Sequence, residues 1–157
     1  MDSIRIFGYK SFKKLSVQLH PINLLIGANG AGKSNFLSLF EMLGNIYEKR
    51  LGAYVAQVGG VDKLLYQGRK VTDRIAVNLL IAKSEYELAL LESDGKLIVE
   101  REVVGCYDDV CPLDLVRKNV ITEFQSESSL KDHKEEDLSN YISQIRKFHF
   151  HDTGRRS

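Results

Sequence analysis

Eight consecutive residues form the part of the sequence best suited to chemistry: Gly27-Ala28-Asn29-Gly30-Ala31-Gly32-Lys33-Ser34. Their spacing fits G-x-x-x-x-G-K-[ST], the pattern of a phosphate-binding P-loop. Glycine permits the positive φ angles with which several backbone N–H groups point at one polyphosphate. We expect Lys33 to reach the β- and γ-phosphates and the Ser34 hydroxyl to ligate Mg²⁺. The pattern therefore predicts that ATP and Mg²⁺ are the cofactors.

The predicted nucleotide contacts extend over the loop and the first helical turn. We expect no catalytic residue among them, because they position phosphates and do not activate water. The glycines do not fit G-x-G-x-x-G, so a dinucleotide-binding fold is disfavoured. The predicted cofactor-binding residues are Gly27, Asn29, Gly30, Ala31, Gly32, Lys33, Ser34 and Asn35.

A P-loop must follow a strand and open a helix, and the flanking sequence predicts both elements. The continuous apolar run Ile22–Ile26 is typical of a strand buried on both faces. From Ser34 onward the apolar residues recur at three- and four-residue steps, which predicts a helix with one apolar stripe. That stripe consists of Phe36, Leu37, Phe40, Leu43 and Tyr47.

Two further regions read as antiparallel β-structure. Residues 3–19 show period-two alternation on either side of a short polar turn, which predicts a hairpin. Residues 71–104 contain three β-rich runs, the last two joined by Asp94-Gly95, a strong hairpin signal. The predicted fold class is therefore α/β: a mixed sheet around the P-loop strand and its helix, with an antiparallel β layer.

The remainder of the chain is less regular. Residues 113–124 suggest a short helix, and residues 125–137 are polar enough for an exposed loop. Helical spacing returns over 137–147, and residues 147–152 alternate like a strand.

Composition indicates a single cytoplasmic domain. The chain has 157 residues, 43% of them hydrophobic, and a formal net charge of +1. That charge neither favours nor excludes nucleic acid, because local patches matter more than the sum. Ile22–Ile26 is far too short to span a bilayer, so we expect no membrane partner.

The P-loop and its surroundings resemble the head domain of ABC-class RecF/SMC-like ATPases. "IRIFGYKSFKKLSVQL" followed by "INLLIGANGAGKSNFLSLFEML" is similar to the opening of that class. Within it, "GGVDKLLYQGRK" (Gly59–Lys70) and "IRKFHFHDTG" (Ile145–Gly154) resemble the AAA_21-type predicted ATPases related to the OLD family, although Gly154 stands where that family has serine. The resemblance implies ATP binding and, in a complete head, hydrolysis that gates an effector or a DNA transaction. It also implies that Asn29 hydrogen-bonds the loop or the γ-phosphate, although asparagine also tolerates a positive φ.

The resembling class also needs an LSGGQ-like signature and a Walker B strand ending in Asp-Glu, and the sequence contains neither. "LALLESD" (Leu88–Asp94) imitates Walker B, but Glu92 runs directly into the Asp94-Gly95 turn, so a plain strand is expected. We therefore expect residues 1–157 to form the N-terminal lobe of an ATPase head, with the signature and Walker B on a C-terminal lobe outside this chain. Such a lobe is expected to bind ATP and hardly to hydrolyse it alone.

Three residues near the end of the sequence have several interpretations. His149 and His151 alternate with phenylalanines, so they share one strand face. They are a candidate metal pair with Asp152, or structural residues. By its position in the resembling class, the segment also suggests that His151 or Asp152 lies near the nucleotide and Mg²⁺.

Two clusters of basic residues suggest further partners. They are candidates for DNA contact in an SMC-like head, for contact with adenine or ribose, or for a solvated surface. Self-association through ATPase heads and an effector nuclease are the other expected partners. The basic residues are Lys10, Lys13 and Lys14 in the first hairpin, and Arg69, Lys70 and Arg74 before the second β region.

Two rival functions share the P-loop. A small nucleotide kinase uses the same motif but alternates strands with helices, whereas here hairpins follow the P-loop helix. A nucleotide-sensing module that signals to a partner nuclease without hydrolysing ATP equally fits the missing Walker B carboxylates.

Overall fold

The chain begins with the predicted hairpin. The computed structural model describes residues 2–81, 84–106, 117–132 and 136–143. Strands β1 (Asp2–Tyr9) and β2 (Phe12–Leu19) pair antiparallel. The intervening turn places Lys10 at a φ of 47°. Ile4 and Ile6 of β1 are buried while Arg5 and Phe7 are exposed, which is the alternation that the sequence predicted.

The second β region extends this hairpin into a sheet of six strands. Strands β3 (Arg74–Ile81), β4 (Ser84–Ser93), β5 (Lys96–Cys106) and β6 (Arg117–Gln125) complete the order β2-β1-β3-β4-β5-β6. Every pairing is antiparallel. The predicted meander is confirmed, and its Asp94-Gly95 turn has positive φ at both residues (51° and 77°), as a type I′ hairpin requires.

Helices cover one face of the sheet. Helix α1 (Lys33–Tyr47) and helix α2 (Leu51–Gln57) contribute their apolar residues to a core that includes the inward side chains of β1, β3, β4 and β5. Helix α3 (Glu136–Ser143) contributes Ile142, and its position confirms the helix predicted near this point. The stripe of α1 is rotated from the one predicted: Leu37 is 49% exposed and Tyr47 half-buried. The buried residues are Phe36, Ser38, Leu39, Met42, Leu43 and Ile46.

Three expectations for the fold are wrong. A short helix was predicted at residues 113–124, but from residue 117 this segment forms β6. The β-branched residues of β6 pair with β5. The polar segment 125–137 is not simply an exposed loop, since Ser128 and Leu130 are buried. The sheet is antiparallel where a mixed sheet was expected, because residues 22–26 pair with no strand among the described residues. The α/β class holds in the coarser sense of a sheet with helices on one face.

Candidate functional site

The predicted P-loop lies between β2 and α1, and two of its three glycines adopt positive φ angles. Gly30 and Gly32 have φ angles of 84° and 91°, in the left-handed region that favours glycine. A Cβ at Gly32 would also lie 3.1 Å from the Phe12 ring and from Ser11 Oγ. The loop therefore passes closely over the β1–β2 turn, and that passage depends on Gly32.

Helix α1 begins with N-terminal backbone groups that no described side chain is seen to cap. Gly32 is the N-cap residue, with no side-chain hydrogen bond at the cap and no acidic residue in the first turn. The first N–H groups of a helix lack intrahelical partners and carry the positive end of the helix dipole. An anion such as a phosphate satisfies both features.

The Lys33 ammonium lies within the loop. Its Nζ donates hydrogen bonds to the carbonyl oxygens of Gly27 at 2.5 Å and Ala28 at 2.8 Å. A positive charge is thus placed beside the carbonyl oxygens of the first two loop residues.

The neighbouring polar residues are arranged around the start of α1. Ser34 is exposed in the first turn, and the loop residues Ala28 to Ala31 are exposed as well. Asn35 is half-buried, and its Nδ2 donates to Ser11 Oγ at 2.9 Å, which ties the first turn of α1 to the β1–β2 turn.

A buried hydrogen-bond network holds α1 in place one turn further along. Ser38 Oγ donates to Asn35 O at 2.8 Å and accepts from Lys10 Nζ at 2.8 Å. Tyr9 OH lies 2.9 Å from the same oxygen, and Tyr54 OH donates to Ser38 O at 3.2 Å. Burial raises the pKa of Tyr9 and of Tyr54, so both remain neutral donors. The network fixes the P-loop helix against the hairpin and α2.

Sequence reasoning missed Tyr9, Ser11 and Ser38. Ser38 carried a usable signal, because it is a polar residue within the buried face of an amphipathic helix, and buried polar groups need partners. Tyr9 and Ser11 carried none, since their roles depend on where the hairpin turn meets α1.

The segment ahead of the predicted P-loop, which was expected to be a buried strand, is largely exposed. Ile22, Leu24 and Ile26 are 89%, 81% and 84% exposed, and no described strand pairs with them. Leu25 lines an apolar hollow of about 260 Å³ with Phe12 and Phe36. The apolar run is suited to burial on both faces, but in the described part of the structure most of it is exposed.

The chain matches the family model described as AAA ATPase domain over residues 1–152. It belongs to this family. No curated protein and no solved structure matches it. The family assignment supports nucleotide binding and ATPase activity in general, and with them ATP as ligand and the Mg²⁺ that such enzymes typically use. The glycine loop, Lys33 and Ser34 fit such a ligand, because they combine an uncapped helix N-terminus, an inward ammonium and an exposed hydroxyl.

The structure of this AAA ATPase domain regroups the residues of the two predicted basic clusters. Lys10 joins Arg69 and Lys70 along one cleft, whereas Lys14 lines a different cavity, on the sheet face opposite the helices. Arg74 Nη2 lies 2.6 Å from Glu100 Oε1, so its charge is paired within the sheet.

The remaining candidate residues divide into one that is described and three that are not. Glu92 lies at the end of β4 and accepts a hydrogen bond from Gly95 N at 2.8 Å, so it caps the hairpin turn as expected. His149, His151 and Asp152 lie outside the described residues. Among the residues that are described, no group of three His, Cys, Asp or Glu side chains is placed to hold a metal. The described helices include none with the length and apolarity of a membrane span.

Proposed function

We propose that this AAA ATPase domain binds the polyphosphate of ATP at residues 27–35, with Mg²⁺ held by the Ser34 hydroxyl. The observation that carries the proposal is the Lys33 ammonium inside a glycine loop at an uncapped helix N-terminus. Three sources of positive potential converge there: the ammonium, the orphan N–H groups and the helix dipole. In the loop, backbone N–H groups cradle the α- and β-phosphates while Lys33 contacts the β- and γ-phosphates.

The Ser34 hydroxyl would hold Mg²⁺, which would supply charge neutralisation at the bound phosphates. Ser34 suits this ligation because its hydroxyl is exposed in the first turn of α1. Asn35 is a positioning residue, since its bond to Ser11 orients the turn that carries Ser34.

Hydrolysis is proposed to require a complementary lobe, as in ABC-type RecF/SMC-like heads. That lobe supplies the Walker B carboxylates, and a second head supplies the signature that closes over ATP. The exposed apolar run Ile22–Ile26 supports this proposal, because burying its three most exposed side chains is worth on the order of 5 kcal/mol. Among the described residues, the hollow beside it is lined by apolar side chains and Lys33 and by no carboxylate, so the water-activating group is expected from elsewhere. The nucleotide cycle of the complete head is proposed to drive head association and to gate an effector nuclease or a DNA transaction.

The test is calorimetric titration of Mg-ATP into the chain and into Lys33→Ala. We expect binding by the chain and at least about a hundredfold weaker binding by Lys33→Ala, because several charge-assisted bonds are lost. Lys13→Ala is the matched control, since Lys13 is an exposed lysine on β2. Equal affinity of all three proteins would place the nucleotide elsewhere and overturn the proposal.

A nucleotide-sensing module that binds ATP without hydrolysing it is the second candidate. It is supported by the same observation, that no described residue lining the apolar hollow carries a carboxylate. Phosphate release from bound ATP, followed under single-turnover conditions, separates the two. Release that depends on both Lys33 and Mg²⁺ would contradict a purely sensing role for this chain.

A further inference from the structure

The sheet face opposite the helices carries a hollow that the function proposed above does not use. It measures about 720 Å³, within the range of about 300–1,000 Å³ that is typical of pockets for small molecules. Its floor is the outer surface of β1, β3 and β4, three neighbouring strands in the middle of the sheet. Helix α1 packs on the other face, and none of the described residues 27–35 lines the hollow.

Two alanines form the centre of this floor. Ala76 on β3 and Ala89 on β4 are directly paired, and both face away from the helices because their strand neighbours Val77 and Leu88 are buried in the core. The solvated face of an antiparallel sheet normally carries polar side chains, and alanine is depleted in strands. The hollow therefore exists because two paired positions carry short side chains where longer polar ones would fill the space.

An exposed phenylalanine extends the apolar surface of the floor. Phe7 on β1 pairs directly with Ala76, and its side chain is 45% exposed. Paired strands lie about 4.8 Å apart, so Phe7, Ala76 and Ala89 form an apolar row about 10 Å long. A flat apolar group of that length can contact all three side chains at once.

Two cations border this row where β1 meets β2. Lys14 pairs directly with Phe7, and Arg5 lies two residues before Phe7 on the same face of β1. Both are exposed, and neither makes a salt bridge or a side-chain hydrogen bond with another described residue. Arg5 and Lys14 are diagonal neighbours, about 7–8 Å apart, so both of their long side chains can reach one anionic group.

The acidic residue of the hollow lies at its other end. Glu87 on β4 is the diagonal neighbour of Arg101, which pairs with Ala89 from β5. Opposite charges attract at that spacing, so the charge of Arg101 is partly offset. No acidic residue is a paired or diagonal neighbour of Arg5 or Lys14 on the described strands. The positive potential of the hollow is therefore concentrated at the Arg5–Lys14 end.

We propose that this hollow binds a small organic anion with a flat apolar body, such as an aromatic carboxylate. The body lies over Phe7, Ala76 and Ala89. The carboxylate lies between Arg5 and Lys14, where the guanidinium can bind both carboxylate oxygens. A nucleic acid fits less well, because the unpaired cations are grouped at one end of an apolar surface and do not form a line that follows a phosphate backbone.

The test is a ligand-observed NMR titration with 2-naphthoate, and with 2-naphthalenemethanol as a neutral compound of the same shape. We expect naphthoate to bind with a Kd of about 1 mM or below, which is typical of a ligand of this size. The alcohol should bind at least about fivefold more weakly, because it makes no charge-assisted hydrogen bonds. Equal affinities for the two compounds would refute an anion site, and no binding of naphthoate at about 5 mM would overturn the proposal outright.

A double variant tests the two cations. Arg5→Gln/Lys14→Gln should weaken naphthoate binding at least about fivefold and leave the affinity for the alcohol unchanged. The matched control is Lys63→Gln/Lys70→Gln, which removes the same charge from exposed positions in the segment before β3. We expect the control to bind naphthoate within about twofold of the unaltered chain, whereas equal losses in the two double variants would mean that net charge alone attracts the anion.

A second variant tests the floor without a change of charge. Ala89→Leu places a larger side chain in the hollow, so both compounds should bind at least about fivefold more weakly. The matched control is Ala53→Leu at an exposed position on α2, for which we expect unchanged binding. Urea denaturation verifies that both variants are folded. Unchanged affinity in folded Ala89→Leu would place naphthoate outside the hollow and contradict the proposal.

Lys33→Ala separates this site from the P-loop. We expect that variant to bind naphthoate as the unaltered chain does, whatever the outcome of the ATP titration. If millimolar ATP displaces naphthoate from Lys33→Ala, the hollow takes nucleotides and the assignment to an aromatic carboxylate is wrong. Weaker naphthoate binding at higher protein concentration would instead assign this sheet face to a second copy of the chain.

Discussion

The N-termini of helices α1 and α2 face the same physical requirement and meet it differently. At α2, the Glu127 carboxylate accepts the N–H groups of Leu51 at 3.0 Å and Gly52 at 3.5 Å. At α1, no side chain of the described residues is seen to hydrogen-bond the first N–H groups, and the first turn carries no acid. One helix end is therefore satisfied by an anion of the chain itself, whereas the other is suited to an anion that comes from outside.

The segment that carries the anion at α2 is held in place by a buried carboxylate. Glu102 is fully buried on β5 and accepts hydrogen bonds from Tyr86, Thr122, Ser128 and the backbone of Ser129, at 2.5 to 3.0 Å. These bonds fix the segment that follows β6, which carries Glu127. The comparison shows that the anion at the N-terminus of α2 belongs to the chain and links two segments of the fold. The N-terminus of α1, which lies beside Lys33 and has no cap among the described side chains, is instead suited to a ligand.

Removing the buried carboxylate should have the largest effect. Glu102→Ala leaves three hydroxyls and one N–H without their acceptor, so we expect unfolding to become easier by about 3–5 kcal/mol. Urea denaturation measures the change, and Glu123→Ala, an exposed position on β6, is the control expected within about 0.5 kcal/mol. A loss below about 1 kcal/mol in the free energy of unfolding of Glu102→Ala would show that the hydrogen bonds to Glu102 do not hold the fold together.

A carboxylate in the first turn of α1 should make the N-terminus of this helix resemble that of α2, where the chain itself supplies the anion. Asn35→Asp places a carboxylate in the first turn, where it repels a polyphosphate, so we expect ATP affinity to fall about tenfold. The added negative charge interacts favourably with the helix dipole, whereas the hydrogen bond to Ser11 is altered. We therefore expect the free energy of unfolding to change by less than about 1 kcal/mol. Calorimetry measures the affinity, and Gln57→Glu, exposed in the last turn of α2, controls for net charge. Unchanged affinity in Asn35→Asp would separate the first turn of α1 from the nucleotide.

Removing the charge at α2 should have a smaller effect. Glu127→Gln retains an oxygen that can accept from Leu51 but loses the interaction of the carboxylate with the helix dipole. We expect a loss of about 1 kcal/mol in unfolding free energy and no change in ATP affinity. A fall in ATP affinity in this variant would contradict the division of roles between the two helix ends.

Alkaline pH should produce the smallest change. Burial raises the pKa of Tyr9, and burial beside Glu102 raises that of Tyr86, above the value of about 10 in the unfolded chain. Stability is fully retained below pH 10 and falls above it, because the unfolded chain releases protons that the folded chain keeps. Each tyrosine should cost about 0.4 kcal/mol at pH 10. Comparing urea denaturation of the chain with that of Tyr9→Phe at pH 8 and pH 10 isolates this contribution, and parallel losses in both proteins would contradict it.

Local signals allowed much of the fold to be predicted. Period-two alternation located β1, β2 and the meander, Asp94-Gly95 located a type I′ turn, and three- to four-residue spacing located α1. The predictions failed where tertiary pairing decides the structure. Residues 117–125 became a strand because the edge of β5 was available to them, which the chain's local pattern does not reveal.

The candidate site shows the same limit. The spacing of Gly27, Gly32, Lys33 and Ser34 predicts a phosphate site because each has a chemical role at a fixed position in the motif. The residues that hold α1 in place, Tyr9 and Ser38, are separated by 29 positions and could be linked only by the fold. Likewise, Lys10 and Lys63 belong to one cleft although no sequence motif joins them.

The exposure of Ile22–Ile26 has a consequence for the behaviour of the protein in solution. Short uncharged segments of high β-propensity pair with copies of themselves when they are accessible. Concentrated solutions of residues 1–157 should therefore form assemblies that grow with protein concentration and are insensitive to ATP. A lysine at position 24 would act as a gatekeeper against that growth, since a single charge in such a segment opposes stacking. The colloidal stability of the purified protein thus depends on the residues directly ahead of its P-loop.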